Sequence, residues 1–256
     1  MLKDYDIHAT LATSDVERAK SWYAEKLGWK PTLEFEGYAR FELGPSAFAV
    51  YESPSAGTAK NTVLYWIVDD TTAEVARLRA RGVIFEDYDF GDFKTVDGVM
   101  TDPSGNHTAW FTDADGNIIS ILDAADAPEK NVVGAMIASS NLERSKVWYA
   151  KVGGYEPAWE EPKVVVAFRS GKTTFNVYVT QFVGTAKNTV AGYGVPDIRA
   201  EMADLRSRGV TFEDYDFGDA KTVDGLLVDS DGTTNAWFKD PDGNILGLQG
   251  PERPAS

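Results

Sequence analysis

The sequence predicts an α+β fold made of two tandem copies of one domain, each built from two strand–helix–three-strand modules. Two observations carry this. The first is self-similarity. FEDYDFGD at Phe85 to Asp92 returns unchanged at Phe212 to Asp219, and KTVDG follows one residue later in both places. GTAKNTV (57–63 and 184–190), AWF (from 109 and 236) and DGNI (from 115 and 242) repeat with the same offset. A period this long is a whole domain rather than a solenoid unit. The second is rhythm: in each copy a strand-like run, a capped helix and three short strand-like runs occur twice in succession.

The elements follow in order. DIHATLAT at Asp6 to Thr13 alternates as a strand. Ser14 to Leu27 reads as a helix: Ser14 and Glu17 form a capping box, Val16, Ala19, Tyr23 and Leu27 share a face, and Gly28 supplies a left-handed stop. TLEFE, YARFEL and AFAVYE, parted by Gly37 and by Gly44 with Pro45, are three strands. After GTAKNT the order restarts with the strand VLYWIV, and Thr71 with Glu74 caps a helix that ends at Gly82. VIFEDYD, TVDGVMT, HTAWF and NIISIL then read as strands, the last two joined by the turn DADGN. In the second copy Ser140 and Glu143 cap a helix, Trp148 and Tyr149 stand where Trp22 and Tyr23 stand, and a further helix runs from Asp197 to Gly209. The expected boundaries are a first domain at 1–125, a polar linker at 126–130, a second domain at 131–250 and a loose tail at 251–256.

Composition narrows the function. Asp and Glu number 40 against 25 Lys and Arg, a net charge of -15. Such acidity repels phosphate backbones and anionic lipids, so neither nucleic acid nor a membrane is an expected partner. No apolar run approaches the roughly 18 residues of a membrane span. The start, MLKDYDIHAT, lacks the basic and then apolar character of a signal peptide, so a cytoplasmic location is expected. With no Cys there is no disulfide, thiolate metal site or Cys nucleophile.

The helix ending WYAEKLG, the paired Asp69 and Asp70 before the second helix, and DADGNIISI and DPDGNILGL near the domain ends resemble the vicinal oxygen chelate superfamily. That superfamily holds glyoxalase I, extradiol dioxygenases, fosfomycin resistance enzymes and bleomycin resistance proteins. The resemblance covers nearly all of both halves. It implies glyoxalase-like domains of eight strands, curved as half-barrel sheets around cup-shaped pockets, with the helices outside. It also implies metal ligands, typically His, Gln or Glu, on the first and last strands of each module, a set suited to a divalent Lewis acid. His8 falls at the first of these places. Ser120 stands where a GNxxEL pattern places Glu, and Val63 stands near the opening of the second module. Gly134, Val190 and Gly247 take the matching places in the second copy, and none is a ligand. Glu52 could join His8, but a stable divalent centre usually takes three or more side chains. The expectation is a protein without metal or other cofactor.

Other motifs read as structure. FEDYDFGD puts Phe85, Asp87 and Asp89 on one face of a strand that runs into an acidic loop. DADGN and DPDGN resemble the start of a calcium loop, but its later ligands and terminal Glu are missing, so they are turns. His107, the only other His, sits beside a turn at the start of a strand. The family register puts Tyr65 on a cup wall, Tyr51 and its partner Tyr178 at fourth-strand ends, and Trp110 and Trp237 on last strands. Aromatic walls suit flat or extended organic ligands, whereas Trp22, Phe41, Trp66 and Trp148 read as core. Val63, Tyr65 and Ile67 correspond to Val190, Gly192 and Gly194, so the two pockets should differ in shape.

The resulting expectation is a metal-independent small-molecule binding protein of the bleomycin-resistance type, which holds a hydrophobic or aromatic ligand by sequestration. His8, Tyr51, Tyr65, Trp110, Ser120, Tyr178 and Trp237 are the candidate ligand-binding residues. The alternative is an enzyme on the same scaffold: a metal-dependent glyoxalase or dioxygenase, or a metal-free isomerase, lyase or cyclase acting through His8, Tyr51 or Asp97. A third reading is a structural or regulatory partner-binding module. Fusion of two copies predicts a monomer with pseudo-twofold symmetry.

Overall fold

The computed structural model describes residues 1–90, 93–123, 130–218, 220–230 and 232–251. The expected linker, Lys130 apart, and the tail beyond Pro251 lie outside the described residues. The first module comprises β1 (Ile7–Thr13), α1 (Val16–Trp22), β2 (Leu33–Phe35), β3 (Tyr38–Leu43) and β4 (Ser46–Glu52). The second has β5 (Thr62–Ile67), α2 (Thr71–Ala80), a small hairpin of β6 (Asp89–Phe90) and β7 (Phe93–Lys94), then β8 (Val99–Thr101), β9 (His107–Thr112) and β10 (Ile118–Leu122). The third has β11 (Val132–Ser139), α3 (Leu142–Gly153), β12 (Pro157–Glu161), β13 (Val165–Ser170) and β14 (Thr173–Val179). The fourth has β15 (Thr189–Gly194), α4 (Ile198–Ser207), β16 (Leu226–Val228), β17 (Thr233–Lys239) and β18 (Ile245–Pro251). The strands form two eight-stranded sheets, ordered β16-β17-β18-β15-β1-β4-β3-β2 and β12-β13-β14-β11-β5-β10-β9-β8. This is the α+β arrangement of four modules that the repeat predicts. The chain divides into two compact units, one of Met1–Ala9 with Ala135–Ser256 and the other of Thr10–Gly134.

Three helices begin one residue away from the expected cap. Asp15, Asp70 and Asn141 are extended and accept from the backbone N–H three residues on, at 2.9, 2.9 and 3.0 Å. Their side chains satisfy an otherwise orphaned first-turn donor. Ser14 and Ser140 are occupied elsewhere: each gives its backbone N–H and its hydroxyl to the second Asp of the DADGN or DPDGN turn, Asp115 or Asp242. Arg18 and Arg144, one turn into the helix, pair with the same carboxylates at 2.6 and 2.7 Å.

The first Asp of each turn braces the helix from inside. Tyr23, fully buried, donates its phenol to Asp113 at 2.8 Å, and Tyr149 donates to Asp240 at 3.2 Å. Each carboxylate also accepts from Asn117 or Asn244, whose amide reaches on to a carbonyl of the first strand. The WY and DGN motifs are therefore two ends of one buried tie, and both phenol rings pack among core aromatics.

The repeated acidic stretch folds differently from the expected strand. Between Val83 and Tyr88 only Phe85 bridges to a neighbour, Phe111. The Asp87 carboxylate accepts from the Thr95 hydroxyl at 2.9 Å and from Gly98 N–H at 2.8 Å, and Asp214 does the same for Thr222 and Gly225. Asp97–Gly98 and Asp224–Gly225, all at positive φ, form the two-residue turns of tight hairpins that break the expected TVDGVMT strand. A side chain at Gly98 or Gly225 would drive into Phe85 or Phe212. FEDYDFGD and KTVDG thus recur together because one fastens the other.

Candidate functional site

Strand register assembles two corresponding rows of residues. In the unit containing Met1–Ala9, His8 of β1 lies opposite Gly192 of β15, Gly192 beside Gly247 of β18, and Gly247 opposite Trp237 of β17. In the other unit Tyr65 of β5 lies beside Ser120 of β10, and Ser120 opposite Trp110 of β9. Position for position the second row is the repeat of the first, with Tyr65 for Gly192, Ser120 for Gly247 and Trp110 for Trp237. Gly134, the counterpart of His8, completes it from β11.

The rows are filled in opposite ways. Tyr65 is buried, and its ring lies so close over Gly134 that a Cβ there would stand 2.3 Å from the phenol oxygen. Ser120 is buried beside it. In the first row the bulky and the bare positions change places: His8 supplies the side chain and Gly192 the gap. Gly194, the next residue on that face of β15, would meet nothing within 4 Å if given a Cβ. A Cβ at Gly247 would meet Trp237 ring atoms at 3.7 Å, so the indole lies along the sheet over this glycine. The first row is a floor of backbone with an imidazole on one side and an indole on the other; the second is packed with a phenol.

The acidic repeat supplies further aromatics. Tyr215 meets Trp237 edge-on at 5.6 Å and Phe217 meets it at 5.8 Å, while in the other unit Tyr88 meets Trp110 at 5.7 Å. Phe217 is 59% exposed, so the edge of this cluster is open to solvent. In the sequence the acids of this motif stand out, and Tyr215 and Phe217 between them do not. Beyond Gly194 the same face runs into an open groove lined by Thr233, Gln249 and Pro251.

The remaining expected residues lie elsewhere. Tyr51 on β4 sits opposite Tyr38 of β3, and Tyr178 on β14 opposite Val165 and beside Ala138. Asp97 occupies the hairpin turn, with its backbone carbonyl held by Arg79 at 2.7 Å. Trp66, Phe41 and Tyr23 are core, whereas Trp22 and Trp148 are half-buried.

The donor set does not suit a divalent metal. The family's ligand places hold Val63, Ser120, Gly134, Val190 and Gly247 beside His8. Among the described residues no three His, Cys, Asp or Glu side chains converge. The acids that are raised belong to the braces: burial pushes Asp240 up to about 6 and raises Asp113, despite the amides they accept from.

Four strand–helix–three-strand modules in two eight-stranded sheets, with corresponding rows on each, define a tandem glyoxalase-like protein. Residues 7–121 match the family model of the Glyoxalase/Bleomycin resistance protein/Dioxygenase superfamily, and the second half repeats the motifs of that stretch. Its fold is similar to that of glyoxalase I from Zea mays, with a TM-score of 0.67 at 19% identity over 95% of this chain and 91% of that one. A glyoxalase / bleomycin resistance protein from Catenulispora acidiphila is 27% identical over 46% of this chain and 96% of its own, with a TM-score of 0.36. No curated protein matches the chain.

Proposed function

We propose that the chain is a metal-independent binding protein for a small, flat organic molecule, and that the working surface is the row His8, Gly192, Gly247 and Trp237. The observation that carries this is the exchange of Gly192 for Tyr65: the same position is vacant of side chain in one copy and filled by a buried phenol in the other. A bare backbone strip beside an indole lets an aromatic ring lie flat against the sheet. Gly192 and Gly194 favour such an occupant, because any side chain there would stand in its place. Tyr215 and Phe217 add apolar cover next to Trp237. The chain would act by affinity alone, as a sequestering protein does.

A second reading rests on His8. An imidazole over an open floor can move a proton as well as bind, so a metal-free isomerase, lyase or cyclase is the alternative. One set of measurements separates the readings. The purified protein is assayed for bound metal, then its thermal midpoint is followed with divalent ions and with a panel of flat aromatic compounds. A ligand that binds only the folded state raises the midpoint. The expected result is a rise with an aromatic compound and none with metals; a stoichiometric divalent ion that stabilises the fold would overturn the proposal. With a binding compound in hand, His8→Ala that keeps affinity but abolishes turnover favours catalysis, and loss of affinity alone favours binding.

A further inference from the structure

A groove of about 510 Å³ lies away from both rows, between α2 and the β7–β8 segment of the Thr10–Gly134 unit. Val75, Val96 and Val99 give it an apolar wall, Arg79 and Lys94 give it hydrogen-bond donors and positive charge, and Asp97 and His107 also line it. Val96 is 69% exposed, so that wall is open to solvent. His107 is held firmly. Its Nδ1 lies 3.2 Å from Asp123 Oδ2, its backbone N–H donates to Asp123 Oδ1 at 2.6 Å, and its carbonyl accepts from the Thr71 hydroxyl at 3.2 Å. Asp123 also accepts from Thr71 N–H at 3.0 Å. A carboxylate fixed in this way accepts from Nδ1–H and leaves Nε2 as the ring nitrogen that can meet a partner.

Comparison with the other copy isolates what is special here. The interlocked Thr71, His107 and Asp123 correspond to Ile198, Thr234 and Gly250, so all three differ together. The arginine is retained but employed differently. Arg206 pairs with the Asp224 carboxylate at 3.1 Å, in addition to the Asp224 carbonyl at 2.7 Å. Arg79 takes the carbonyl of Asp97 at 2.7 Å, and among the described residues no carboxylate is paired with it. Lys94 pairs with Asp89 on the exposed rim at 2.8 Å. In the second copy the Asp224 carboxylate sits on the arginine; in the first the corresponding Asp97 holds it through the carbonyl, and Asp87 acts on it electrostatically without forming an ion pair.

From this juxtaposition we propose that the groove is a second, separate binding site, and that it takes a small organic carboxylate with an apolar tail. The carboxylate meets Arg79 as Asp224 meets Arg206, the tail lies on Val75, Val96 and Val99, and His107 closes the far side. This is independent of the aromatic-ligand reading, which concerns the other unit.

The chain contains only two histidines, so imidazole NMR of the full-length, histidine-labelled protein reads the two sites separately. His8→Ala assigns the pair. Hexanoate serves as probe, with hexanol and hexylamine as controls of matched tail. The expected result is a saturable shift of the His107 signals by hexanoate with His8 unmoved. Arg79→Gln should weaken that binding about tenfold, the loss of one charge-assisted contact. The proposal is overturned if His107 does not respond, if hexanol or hexylamine binds as well as hexanoate, or if Arg79→Gln leaves the affinity unchanged.

Discussion

At the scale of single residues, Tyr65 and Gly134 act as one packing unit. The phenol occupies the space a side chain at 134 would need, so the two positions should be coupled. Gly134→Ala is expected to destabilise the fold by about 1–3 kcal/mol, the usual cost of overpacking a well-filled core. Tyr65→Gly alone should also destabilise by leaving a cavity. In the double variant the clash is gone, so the two costs should sum to more than the measured total; urea unfolding of all four proteins reads this. Strict additivity would show that Tyr65 does not fill the Gly134 site. The correspondence of Tyr65 with Gly192 is legible from the repeat, and so is the prospect of unlike pockets. The correspondence of His8 with Gly134 is legible in the same way, but that the one exchange compensates the other is not, because β1 and β11 lie far in sequence from β15 and β5, and register rather than spacing brings them together.

At the scale of elements, local pattern identifies which segments are helices but misplaces three caps by one residue. Ser14, Thr71 and Ser140 fit the capping-box pattern, whereas the caps that form, Asp15, Asp70 and Asn141, have Arg18, Ala73 and Arg144 where the pattern wants Glu or Gln. What decides at Ser14 and Ser140 is a carboxylate about a hundred positions away, at Asp115 or Asp242, and local pattern cannot register it. FEDYD misleads in a similar way: its alternation fits a strand, yet Asp87 turns to fasten the Gly98 hairpin. The braces themselves carry a pH signature. Burial raises Asp240 from an ordinary 3.8 to about 6 in the folded chain, so its ionisation opposes folding. Its contribution to stability is complete below about 3.8 and is lost as pH rises through 6, by about 3 kcal/mol at most. Acids held low, such as Asp87, Asp123 and Asp214, work in the opposite sense: their contribution is lost as pH falls. The clean measurement is therefore a difference. The stability of the natural protein minus that of Asp240→Asn should shrink between pH 4 and 7; a constant difference would mean that Asp240 titrates normally.

For the molecule as a whole, duplication separates what the fold requires from what a ligand meets. The two copies keep the same ties, from Tyr23 to Asp113 and from Tyr149 to Asp240, and the same fastened hairpins, while the rows and the outer groove have drifted apart. Aligned position by position, the two halves of the sequence differ at Thr71, His107 and Asp123, though several of their neighbours differ as well. Exposed Phe217 has no such signal, as both copies carry the same residue at that point of the motif.

The tyrosines of these ties bear on how the protein meets strong base. Burial first, and then the facing carboxylate, raise Tyr23 and Tyr149 well above the ordinary phenol value, and burial does the same for Tyr193. Folded stability from these groups is intact below about pH 10 and is spent as alkali strips their protons. Exposed tyrosines should therefore turn to phenolate first, and the buried ones only when the chain opens. Ultraviolet absorbance of phenolate, followed alongside circular dichroism, should show a late step coincident with loss of structure. If every tyrosine ionised in one smooth phase before unfolding, the buried ties would not be the latches that hold each helix to its sheet.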